Sequence, residues 1–166
     1  MHKIFSLAML AYVASVVLVN IGFSYVPPIP TPLGMFAPMA IFVGGVFIIR
    51  DFAQRASGHF VLVGMIVATF ASYFLADPHV ALASAAAFAA SELIDWAVYS
   101  ATKRPFHQRV AISSLFAVPV DTAVFLLGIG FMHTGTFVIM VLSKLVALSV
   151  VWLMRPTDTR EPAWDV

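Results

Sequence analysis

Residues 79–101 read HVALASAAAFAASELIDWAVYSA, and the order of residue types in this stretch decides how the chain folds. At 1.5 Å of rise per residue it is long enough to cross a bilayer core of roughly 30 Å as one helix. Its first two thirds carry Ala81, Ala83, Ser84, Ala85, Ala86, Ala87, Ala89, Ala90 and Ser91. Side chains this small let helix backbones approach closely in lipid, so the helix is expected at the centre of a bundle. Glu92 and Asp95 then follow inside the same apolar run, where an acid has no water to ionise into unless the fold supplies a partner, a hydrated cavity or a task.

The rest of the chain repeats the pattern. Hydrophobic residues make up 61% of the 166 and charged residues 10%, against roughly 45–50% and about 25% in soluble domains. Short polar or proline-rich breaks divide the sequence into six apolar stretches, at about 4–26, 35–53, 60–76, 79–101, 110–131 and 135–154, with a polar tail over 155–166. Proline lacks an amide donor and its ring clashes with the preceding turn, so Pro27-Pro28-Ile29-Pro30-Thr31-Pro32 is expected to be a rigid extended loop. Asp77-Pro78 and His133-Thr134-Gly135 suit tight turns between antiparallel neighbours, and Pro156 ends the last helix. The expected fold is an all-α membrane protein, a compact bundle of six transmembrane helices in a single domain. Met1-His2-Lys3 leads straight into an apolar run without a cleavage site, which reads as a retained first helix.

Orientation follows from the basic residues, since cytoplasmic loops accumulate Lys and Arg. Lys3, Arg50, Arg55, Lys103, Arg104, Arg109, Arg155 and Arg160 fall on one side when six spans are drawn, and the ninth basic residue, Lys144, falls within a span. Both termini are therefore expected in the cytoplasm, with the chain in a bacterial plasma (inner) membrane. A net charge of +1, with no Lys/Arg-rich run, argues against a nucleic-acid partner. The absence of cysteine excludes thiolate metal sites and cysteine nucleophiles. No HExxH spacing, GxSxG elbow, P-loop or GxGxxG fingerprint occurs, so neither a metal site, another cofactor nor an enzyme is expected.

A charge near the bilayer centre costs at least about 2.5–3.5 kcal/mol on insertion scales, which makes Glu92, Asp95, Asp121 and Lys144 the residues to explain. Asp121 and Lys144 are expected roughly 14–16 Å below the outer boundary and Glu92 about 20 Å below it, which puts all three in one slab. Glu92 and Asp95 share a helix face with Trp96 and Tyr99. Asp95, Trp96 and Tyr99 read either as interfacial anchors or as part of a site. Asp121 follows Pro119, whose missing amide frees the Leu115 carbonyl near Ser113 and Ser114, and the result is a polar notch. An Asp121–Lys144 pair either welds helices five and six or meets a ligand, and in both cases leaves Glu92 without a partner. Arg50 and Asp51 read as an interfacial pair or a functional one, and Asn20 as a cross-helix hydrogen-bonder or a ligand contact. A polar cluster at mid-depth in a small bundle is what a solute carrier needs.

Three stretches together, residues 47–58 (FIIRDFAQRASG), residues 90–99 (ASELIDWAVY) and Val120-Asp121 with Lys144, resemble the vitamin uptake transporter family, also called the queuosine-precursor transporters. The resemblance covers about residues 35–154. It implies uptake of a 7-deazaguanine such as 7-cyano-7-deazaguanine, with Asp51, Glu92, Asp95, Asp121 and Lys144 on the family's polar positions. Longer members carry an acid where this chain has Arg55. A guanine-like edge offers adjacent N1–H and amino donors to a carboxylate and an O6 acceptor to an ammonium, so Glu92 or Asp121 with Lys144 complements it. Its ring faces suit stacking on Trp96, Phe88 or Phe125. The expected partners are thus this nucleobase-like molecule and the lipid bilayer, with self-association left open. The alternative is a substrate-capture subunit of an energy-coupling-factor system, which needs energising partner proteins and a docking surface such as Ala8, Ala11 and Ala14. A third reading is an assembly protein in which the ion pairs only join helices.

Overall fold

In the computed structural model, which describes residues 7–101 and 106–153, the chain forms helices α1 (Leu7–Tyr25), α2 (Met39–Ser57), α3 (Val61–Leu75), α4 (Pro78–Ala101), α5 (Phe106–Gly128) and α6 (Thr134–Leu153). A 3-10 turn, Gly58–Phe60, joins α2 to α3, and two short strands, β1 (Ile29–Thr31) and β2 (Gly34–Phe36), lie between α1 and α2. The helices close into a ring: α1 packs on α2, α2 on α6, α6 on α5, α5 on α4, α4 on α3 and α3 back on α1. The most extensive pairing is α4 against α5. There the alanines of α4 bring the backbones together, and Ala83 lies so close to Gly128 that a Cβ on that glycine would meet it at 2.7 Å.

The distribution of polarity is the reverse of a soluble domain's. Leu10, Leu18, Phe42, Ile66, Phe70 and Leu142 point outward on four of the helices, whereas Asn20, Arg50, Ser91, Asp121, Thr122 and Lys144 are buried. An apolar exterior around a polar interior suits hydrocarbon as solvent. Leu7–Tyr25 and Gly58–Leu75 are long and apolar enough by themselves to cross a membrane, and shorter apolar runs occupy Pro78–Ile94, Ile112–Gly128 and Thr134–Val150. The interior charges are spread over the other four helices: Arg50 on α2, Glu92 on α4, Asp121 on α5 and Lys144 on α6.

Two expected helices shift in their limits, and the second ends at Ser57 instead of 53. The second helix begins at Met39 instead of 35, because Gly34–Phe36 pairs antiparallel with Ile29–Thr31 (Ile29 opposite Phe36, Thr31 opposite Gly34). The proline-rich stretch is thus half of a hairpin, in which Pro30 is tolerated because a two-stranded ribbon has only edges. The fifth helix begins at Phe106 instead of 110 and ends at Gly128, before Gly130 takes a φ of 72°.

The hairpin seats on the start of α6. The Met35 amide donates to Thr136 Oγ1 at 3.0 Å and Thr31 Oγ1 donates to the Gly34 carbonyl at 2.6 Å. Gly135 has no room for a side chain, since a Cβ there would overlap the Leu33 carbonyl oxygen. Asp77 fastens the same end of the bundle: its Oδ1 accepts from the His79 and Val80 amides at the start of α4, while its own amide donates to Ser24 Oγ at the end of α1.

Candidate functional site

A cavity with about 600 Å³ of empty space, its open mouth included, lies inside the ring. Every helix contributes to its wall: Asn20 from α1, Val43 from α2, Thr69 from α3, Ser84 from α4, Asp121 from α5 and Lys144 from α6.

Among the described residues the wall carries one pair of opposite charges. Lys144 Nζ donates to Asp121 Oδ2 at 2.7 Å and to Thr122 Oγ1 at 3.0 Å, and Thr122 in turn donates to the Val118 carbonyl at 2.9 Å. Lys144 and Asp121 are only 1% and 5% exposed, so neither charge is solvated from outside the bundle. An ammonium has three protons and a carboxylate two oxygens, and these bonds leave one N–H of Lys144 and Oδ1 of Asp121 uncommitted. Lys144 reaches this position because α6 comes very close to α2 at Gly44, where a Cβ would stand 2.6 Å from the Lys144 carbonyl oxygen. On α5, Pro119 is accommodated within a continuous helix, and Ser113 and Ser114 are buried while Leu115 faces out.

Aromatic rings bound the cavity at both ends. Towards the hairpin, Phe23 and Phe125 approach with ring centroids 4.9 Å apart. At the opposite end Phe88 contacts Phe47 at 6.1 Å and Tyr12 at 5.9 Å. Phe23, Phe125, Phe47, Phe88 and Tyr12 all line the cavity.

Glu92 has a different setting from the one its sequence position suggests. It is not among the residues lining the cavity, and it is not an unmatched acid: it forms an ion pair with Arg50, which is itself 3% exposed. The pair lies one helical turn beyond the cavity residues Phe88 on α4 and Val46 and Phe47 on α2. The Arg50 guanidinium also stands over the Phe88 ring, 5.9 Å from its centroid. Arg50 is therefore an interior residue rather than an interfacial one, because its long side chain crosses to α4, with which α2 makes no close backbone contact among the described residues.

Asn20 makes a cross-helix hydrogen bond and also stands on the cavity wall. Its Nδ2 donates to Ser72 Oγ at 3.0 Å, tying α1 to α3. The side chains of Asp51, Asp95 and Trp96 lie outside the described residues. So do the polar tail and the basic residues from which orientation was read, apart from Arg50 and Lys144. Tyr12 escaped the sequence reading, because a lone tyrosine in an apolar helix signals nothing by spacing. Its hydroxyl is buried within electrostatic reach of both Arg50 and Glu92, on the boundary between the ion pair and the cavity. Among the described residues no group of three or more His, Asp or Glu side chains gathers as a metal site.

Residues 31–157 match the model of a family described as putative vitamin uptake transporter. No curated protein and no solved structure matches the chain.

Proposed function

The chain belongs to the vitamin uptake transporter family, and from that premise we propose that it imports an uncharged nucleobase-like solute, a 7-deazaguanine such as 7-cyano-7-deazaguanine, across a bacterial plasma membrane. On this reading all six helices span the bilayer with both termini in the cytoplasm, and the hairpin faces outward. The observation that carries the proposal is the cavity built by all six helices around a buried acid and amine with hydrogen-bonding capacity to spare. A carrier needs such a site near the midplane, closed at each end by something that can move. Asp121 Oδ1 accepts the adjacent ring and amino N–H donors, the third Lys144 proton meets the carbonyl oxygen, and Phe88 and Phe125 offer ring faces. Stacking of this kind contributes about 1–3 kcal/mol per base in nucleic-acid complexes.

Glu92 acts from beneath this site. Its pairing with Arg50 joins α2 to α4 at the cytoplasmic end, where opening must occur if solute is to leave inward. Asp51, Asp95 and Trp96 belong to the proposal through the family's polar positions. The capture-subunit alternative differs in needing energising partners. Uptake into proteoliposomes holding this chain alone would exclude it.

Complementation tests the solute. Expressed in a bacterium that neither makes nor imports the precursor, the chain should restore queuosine to transfer RNA when 7-cyano-7-deazaguanine is supplied. Absence of recovery, with the protein present in the membrane, would assign it a different solute.

A further inference from the structure

Two polar atoms at the cavity remain unexplained by the ion pairs. Tyr12 Oη and Asn20 Oδ1 are buried without a hydrogen-bond partner, in side chains 0% and 2% exposed that both line the cavity. Buried polar groups are nearly always satisfied, so two such atoms on one cavity wall point to a partner that the fold itself does not supply. They are also placed together. Tyr12, Val16 and Asn20 recur at helical spacing on α1, so they present one stripe to the cavity, polar at each end and apolar between, about 12 Å long from Cα to Cα. The bond from Asn20 Nδ2 to Ser72 Oγ fixes the carboxamide and leaves its carbonyl oxygen as the open acceptor.

The charges set a second condition. Among the described residues of the wall, Asp121 and Lys144 are the charged ones, and they neutralise each other at 2.7 Å. A ligand with net charge would leave water for a site with no countercharge to offer, whereas an uncharged ligand avoids that penalty.

We infer that Tyr12 and Asn20 are specificity-determining residues that read the polar ends of a flat, uncharged heterocycle, and that the self-neutralised wall excludes ligands of net charge. Asn20 Oδ1 accepts an N–H at one end of the ligand, and the Tyr12 hydroxyl bonds a polar atom at the other. This rests on the reading of the cavity as the solute site and narrows its substrate class, setting it apart from carboxylate and cationic vitamins.

The test uses the full chain in lipid nanodiscs and a panel sharing one ring edge: 7-cyano-7-deazaguanine, its 7-carboxy analogue as the anion and its 7-aminomethyl analogue as the cation. Guanine serves as a second uncharged heterocycle, and biotin and thiamine as charged vitamins. Titration calorimetry should find an uncharged member bound at least tenfold more tightly than every charged one. Tyr12→Phe should weaken that binding about tenfold while the unfolding temperature of the empty protein stays the same or rises, since the hydroxyl removed has no partner in the fold. Asn20→Ala should weaken binding similarly, with Asn20→Ser as a second variant should the first fold poorly. Guanine bound with the same Tyr12 dependence, but no 7-deazaguanine bound, would refute the solute named above and uphold this inference. A charged member bound as tightly as any uncharged one, no uncharged member bound at all, or full affinity in Tyr12→Phe would overturn it.

Discussion

The two buried ion pairs among the described residues have similar chemistry and different surroundings. Asp121–Lys144 joins neighbouring helices α5 and α6, shares a third hydrogen bond with Thr122 and faces a cavity. Arg50–Glu92 joins α2 and α4, helices that do not otherwise approach each other among the described residues, and sits beyond a layer formed by Tyr12, Phe47 and Phe88. A buried charge is costly wherever it lies, so cost alone does not identify a site. What separates the pairs is access: the first has unspent donors and acceptors beside empty space, and the second is shielded from that space by rings. On the proposed function the first pair meets the ligand, and the second holds one end of the bundle shut.

The largest expected effect breaks the first pair. Lys144→Met leaves Asp121 buried without its cation, and removal of one partner of such a pair typically costs about 3–5 kcal/mol. The unfolding midpoint in detergent should fall accordingly, and uptake should be lost. Adding Asp121→Leu should recover most of the midpoint, because two apolar groups replace a compensated pair, without recovering any uptake. Transport by the double variant would reduce this pair to a weld between α5 and α6.

A smaller effect sharpens the contrast at the second pair. Glu92→Gln keeps the shape and removes the charge, so uptake should drop at least tenfold, equivalent to about 1.4 kcal/mol. Ligand affinity of the purified variant should stay within about twofold, since Glu92 does not line the cavity. An affinity loss matching that of the Lys144 variant would mean that the two pairs form one site.

Much of this was legible in the sequence, for reasons that also mark where legibility ends. Hydrophobic length gave six helices, because it is a local property of the chain; the alanines of residues 79–101, expected to set their helix at the centre of the bundle, instead pack it closely on α5 as one member of a ring. Asp121 and Lys144 were readable as a pair because each stands alone in its apolar run at a similar depth. Glu92 was read as unmatched because Arg50, at the end of its run, looked interfacial. Only the fold shows the guanidinium turned inward across the bundle. The hairpin was hidden by Pro30, a residue that argues against strands unless the strand is an edge. Tyr12 was invisible because what distinguishes it is an unsatisfied hydroxyl, a property of the packed interior and not of residue type.

The central claim is that the ring encloses a ligand site on the inward face of α4 while the same helix shows lipid an inert face. The sequence contains no cysteine, so single cysteines can test it without background. Ser84 lines the cavity, and Leu82, two residues earlier on α4, is exposed on the outside of the bundle. In proteoliposomes, Ser84→Cys should react with a small thiol reagent, and saturating 7-cyano-7-deazaguanine should slow the reaction at least tenfold, whereas any labelling of Leu82→Cys should be unaffected by the ligand. Ligand protection at Leu82→Cys but not at Ser84→Cys would contradict the account.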